Sequence, residues 1–171
     1  VYKSTYKVKT LAPRWNEIFL IEFEDGMTED DVPTLRCTCE DYDDFSANDF
    51  MGFVEFDIRK YTHRRHRDWY ELLPDPKKPK EVVSGKLEIV LRWWHNPELA
   101  WEPFLDSTDV EDVEPNELLV ALVRGRELAP RDACGLSFKP VTSDPQVRFR
   151  IIDTDERAQS THKIKTLAPR W

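Results

Sequence analysis

Five carboxylates, Glu40, Asp41, Asp43, Asp44 and Asp49, fall within ten consecutive positions of this chain. Side chains of that type offer only hard oxygen donors. Packed together they repel one another by about 1 kcal/mol per pair at 4 Å in water, and by more at lower effective dielectric. A hard cation relieves that repulsion. Calcium takes roughly 6–8 oxygen ligands in irregular geometry, which suits a loop of aspartates. A solvated acidic loop is the competing reading. The rest of the chain offers no rival chemistry: it has no glycine-rich phosphate loop, no Gly-x-Ser-x-Gly and no Cys-x-x-Cys pair. A binding module, not an enzyme, is expected.

The acidic run must be positioned by strands. It follows Thr34-Leu35-Arg36-Cys37-Thr38-Cys39, whose alternation predicts a half-buried strand leading into the loop. Further strands are expected over Tyr2–Thr10, Glu17–Phe23, Phe50–Ile58, Asp68–Leu72, Gly85–Trp94, Glu117–Arg124 and Gln146–Ile152. Short helices fit only at Glu29–Val32 or near Ile58–Tyr61. The predicted fold is all-β: an eight-stranded antiparallel Greek-key β-sandwich. Cys37 and Cys39 should share one face of their strand, where a mutual disulfide is geometrically unfavourable, and Cys134 stands alone. That usage points to a reducing, intracellular setting. The net charge of −8 disfavours nucleic acid as a constitutive partner, and no run of about 18 apolar residues is present to span a bilayer.

An internal repeat bears on domain organisation. Ser4-Thr5-Tyr6-Lys7-Val8-Lys9-Thr10-Leu11-Ala12-Pro13-Arg14-Trp15 returns 156 residues later as Ser160–Trp171, with ten of twelve positions identical. That period is too long for a solenoid unit and suits one domain plus a linker. The expectation is a slice of a tandem array, cut out of phase: residues 1–97 hold the later strands of one domain, 98–116 form an acidic, proline-containing linker, and 117–171 hold the initial strands of the next. Two- or three-stranded pieces are marginal alone. Leu118–Val123 and Val147–Ile152 are therefore expected to complete the sandwich of residues 1–97, closing it as a circular permutant. The two repeat copies would then compete for one slot, and one would be displaced.

The residues resemble a known family. Thr10-Leu11-Ala12-Pro13-Arg14-Trp15-Asn16-Glu17-Ile18-Phe19, then Asp41–Gly52, then Trp69-Tyr70-Glu71-Leu72 and Gly85-Lys86-Leu87, look like the later part of a C2 domain. This is the calcium- and phospholipid-binding sandwich of protein kinase C, synaptotagmins and ferlins. Glu117–Val120, Gly125–Asp132 and Ser143–Val147 resemble the beginning of another copy. The resemblance implies calcium held between two loops at one end of the sandwich, with Asp132 and Asp144 from the first and Asp41, Asp43 and Asp49 from the third. It implies an anionic phospholipid membrane as partner. Phe45, Leu136 and Phe138 would enter the interface, and Lys3, Lys7 and Lys9, on one side of a strand, would meet headgroups. Calcium would act as an electrostatic switch. The implied location is cytoplasmic and peripheral to a membrane, within a multi-domain trafficking or signalling protein. The alternative is a calcium-independent protein-interaction or scaffold module. A basic stretch, Arg59, Lys60, Arg64, Arg65 and Arg67 with His63 and His66, is opposite in charge to the acidic loop, and either contact with headgroups or pairing with the acidic linker is open to it.

Overall fold

The computed structural model describes residues 1–23, 34–62, 64–77, 81–94, 96, 115–131 and 142–152, and the backbone of 163–167. Nine strands appear among them: β1 (Tyr2–Lys3), β2 (Arg14–Glu22), β3 (Thr34–Asp41), β4 (Asp49–Asp57), β5 (His66–Glu71), β6 (Lys86–Trp94), β7 (Glu117–Arg126), β8 (Pro145–Ile152) and β9 (Lys163–Leu167). They form two sheets, one of four strands in the order β1-β8-β3-β4 and one of five in the order β5-β6-β7-β2-β9. Every pairing between these strands is antiparallel. The molecule is the expected β-sandwich. A 3-10 turn, Ile58–Tyr61, follows β4. The other helix candidate, 29–32, lies outside the described residues.

Period-two patterning explains the layering. Phe19 and Ile21 of β2, Leu35, Cys37 and Cys39 of β3, Leu87, Ile89, Leu91 and Trp93 of β6, Leu118, Val120 and Leu122 of β7, and Val147, Phe149 and Ile151 of β8 all point into one core. Cys37 and Cys39 do share the buried face and are free thiols. Burial pushes both thiols up, Cys39 to about 12, so they behave as small apolar side chains.

Strands from both sides of residues 98–116 interleave. β7 sits between β6 and β2, with Leu118 opposite Ile21 and Trp93. β8 sits between β1 and β3, with Phe149 opposite Tyr2 and Cys37. Leu118–Val123 and Val147–Ile152 thus hold central positions among strands drawn from residues 1–94.

One feature of the repeat differs from the expectation. The strand expected over Tyr2–Thr10 stops at Lys3. Beyond it the chain runs beside β8 and its preceding residues, with the amides of Ser4, Lys7 and Thr10 donating to the carbonyls of Val147, Pro145 and Ser143. Lys9 then turns with φ +50°, ending any strand alternation. The second copy lies elsewhere. Its Lys163–Leu167 pairs instead along the outer edge of β2, from Ile18↔Leu167 to Glu22↔Lys163.

Candidate functional site

The acidic end is built where β3 stops and β4 starts. Asp41 closes β3, and the register sets it opposite Asp49 on one side and Pro145, the first residue of β8, on the other. Asp144 precedes Pro145, so three of the five expected aspartates lie at adjoining strand ends. Backbone bonds fix the junction. The Asp144 amide donates to the Asp41 carboxylate at 2.5 Å, and the Tyr42 amide donates to the Asp144 carbonyl at 3.0 Å. The Lys9 amide donates to the Asp144 carboxylate at 2.6 Å. Asp41 is buried, whereas Asp43 and Asp49 are exposed.

The loop between these strands is braced from within. The Asn48 carboxamide accepts from the Asp43 amide at 3.3 Å and donates to Glu40 at 3.3 Å. The Ser46 hydroxyl donates to Asp43 at 2.9 Å. Glu40 itself is buried and forms an ion pair with Arg148 of β8. Its charge is therefore spent on the sheet and is not offered to a ligand. Tyr42 stacks on Tyr6, with ring centroids 4.3 Å apart and planes 10° apart. A hydrogen bond from its phenol to the Asp44 carboxylate holds the Tyr42 pKa up. Phe45 stands fully exposed at the tip, with no share in the core.

These braces were not legible in the sequence. Glu40 reads as one of five equivalent acids until β8 is placed beside β3. Arg148 gives the signal, because it sits diagonally across the Glu40↔Gln146 pair.

The remaining expected residues fare differently. Asp132, Leu136, Phe138, Cys134 and His63 lie outside the described residues. Lys3, Lys7 and Lys9 do not line one strand face, because the strand ends at Lys3. Lys7 faces Glu17 at 3.8 Å. Lys9 is exposed beside Asp144.

The donor set, carboxylate oxygen throughout, matches what a hard cation takes. As folded, Asp41 and Asp144 direct carboxylate oxygens to backbone amides. Among the described residues, no three His, Cys, Asp or Glu side chains are gathered closely enough to hold a metal ion. No helix among them is long and apolar enough to cross a membrane.

Comparison with known proteins points one way. Ras GTPase-activating protein 4 from Mus musculus is 34% identical over 49% of this chain. RasGAP-activating-like protein 1 from Homo sapiens is 32% identical over 86%. Synaptotagmin-7 from Mus musculus is 27% identical over 92%. The aligned parts span 11%, 22% and 33% of those proteins' own lengths. No solved structure matches the chain. The C2 domain family model matches residues 1–72 and 116–171, the two stretches whose strands interleave here into one sandwich, and the chain belongs to that family.

Proposed function

We propose that this sandwich is a calcium-dependent phospholipid-binding module. The observation that carries the reading is the meeting of Asp41, Asp49 and Asp144 at adjoining strand ends, beneath a loop whose Phe45 is fully exposed. Asp41, Asp43, Asp49 and Asp144 would hold the ion, with Asp132 as the fifth member. Bound calcium supplies positive charge at the tip and coordination positions for phosphate oxygens. The chain's own residues do the rest. Ser46 and Asn48 keep the loop in shape around Asp43. Phe45 has no core contact to give up and is available to enter the interface. Burying such a ring contributes about 1.5–3 kcal/mol. Lys9, exposed beside Asp144, offers a headgroup contact, whereas Lys7 is turned to Glu17. A bilayer-peripheral, cytoplasmic placement follows from this reading, as does a binding rather than catalytic role.

One observation favours the alternative, a calcium-independent interaction module. Asp41 and Asp144 already accept backbone hydrogen bonds, so their charge is partly satisfied without an ion. Vesicle co-sedimentation separates the two. Calcium-dependent binding to anionic vesicles, abolished by chelator and by the double variant Asp43→Asn, Asp49→Asn, is the expected result. Binding that persists unchanged in chelator transfers the assignment to the alternative.

A further inference from the structure

The basic stretch of residues 59–67 plays no part in the acidic tip. β3 runs toward that tip and β4 runs away from it, so the Ile58–Tyr61 turn and the start of β5 lie at the opposite end of the sandwich. Much of the stretch is already neutralised. Arg59 and Lys60 both pair with Asp57. Arg67 pairs with Glu88 at 2.7 Å. Arg64 and Arg65 are exposed, and among the described residues their guanidinium groups have no ion pair or hydrogen bond.

These two arginines line a groove of about 510 Å³ together with Tyr61, His66, Arg67 and Tyr70. Its floor is anchored to the core. Tyr70 and Tyr61 both meet Phe56 edge-on, at 4.7 and 5.7 Å between centroids. His66 packs edge-on against Tyr61 at 5.3 Å. The phenols of Tyr61 and Tyr70 are hydrogen-bonded to each other. Thr62 bridges to Trp93 of β6, fixing the turn to the sheet. One acid, Asp68, also borders the groove, and one of its oxygens accepts from the Trp69 amide at 2.7 Å.

A rigid aromatic floor beside two uncommitted guanidinium groups suits a particular anion. Guanidinium presents a planar fork of donors that meets two oxygens of one phosphate at once, and neighbouring forks favour a doubly charged phosphate over a single carboxylate. The net charge of −8 argues against diffuse attraction of anions to the whole molecule, so any such binding must be local. We propose that Arg64 and Arg65, with the Tyr61–His66–Tyr70 floor, form a calcium-independent site for a phosphomonoester or diphosphate dianion.

The probe is pyrophosphate, titrated calorimetrically into the full chain with calcium chelator present, so that failure of the acidic tip cannot affect the outcome. Saturable binding is expected, weakened by roughly tenfold or more in the double variant Arg64→Gln, Arg65→Gln. Arg150→Gln, an exposed arginine on the other sheet, should bind as wild type does. Melting temperatures confirm that the variants remain folded. No binding to wild type, equal binding to the double variant, or an equal loss in Arg150→Gln overturns the site. Vesicles in chelator identify the source of the phosphate. Capture by phosphatidic acid but not phosphatidylserine, lost in the double variant, assigns a lipid headgroup. Pyrophosphate binding without vesicle capture assigns a free anion.

Discussion

At the level of single residues, exposure separates function from stability. Phe45 is fully exposed, so Phe45→Ala should leave the melting temperature essentially unchanged, with ΔΔG within about 0.5 kcal/mol. Its affinity for anionic vesicles in calcium should fall by roughly 10- to 150-fold, because about 1.5–3 kcal/mol of aromatic burial is lost. A melting scan beside a vesicle titration checks both halves. Glu88 behaves in the opposite manner. It is buried on β6 and accepts from Arg67 at 2.7 Å and Arg124 at 2.5 Å. Burial pushes its carboxyl up, but the two guanidinium groups outweigh burial and hold its pKa below the ordinary Glu value. A depressed folded-state pKa contributes stability above the unfolded value, about 4.3, and that contribution disappears as pH falls through the folded value. Urea midpoints of wild type and Glu88→Gln should therefore differ at neutral pH and converge in acid. Parallel curves at all pH values would assign no linkage to Glu88.

At the level of elements, most strands were legible because apolar and polar residues alternate without interruption. The expected β6 and β8 agree with the observed ones to within one residue at each end. Tyr2–Thr10 alternates as cleanly, yet only Tyr2–Lys3 is a strand. Periodicity reports which face a side chain would take, and it is blind to a backbone that turns at Lys9 to carry its amide to Asp144. The acidic strand ends were legible for the same reason that the strands were. The Asn48 brace and the Glu40–Arg148 pair were not, since both depend on which strands become neighbours. Gly52 shows a constraint of the same kind. It lies on β4 with φ +130°, and a Cβ there would come within 2.6 Å of Val83 and 2.8 Å of Leu72. Gly52→Ala should destabilise the fold by about 1–3 kcal/mol through strain and overpacking. Chemical denaturation measures this. An unchanged midpoint would mean that Val83 and the backbone yield freely.

For the whole molecule, the pairing of β7 with β2 and β6, and of β8 with β1 and β3, joins sequence-distant segments in one core. The repeat alone did not disclose this, because self-similarity reports period and not partner. The interleaving is what an isolated pair of halves needs in order to bury both apolar faces. The second repeat copy settles on a free sheet edge, with Ile164 and Thr166 in register with the buried Ile21 and Phe19.

That placement gives the tail a protective task. An uncovered border of a β-sheet invites lateral polymerisation, chain upon chain, through its bare amides and carbonyls. Lys163–Leu167 covers that border along Ile18–Glu22, so the sheet ends on a strand of five residues with two lysines in place of the nine-residue β2. Clipping the chain after Ile152 should therefore leave the core standing while turning a dispersed protein into one that stacks. Light scattering of the clipped chain should rise with concentration, and a clipped chain that stays dispersed would show that the border is harmless when bare.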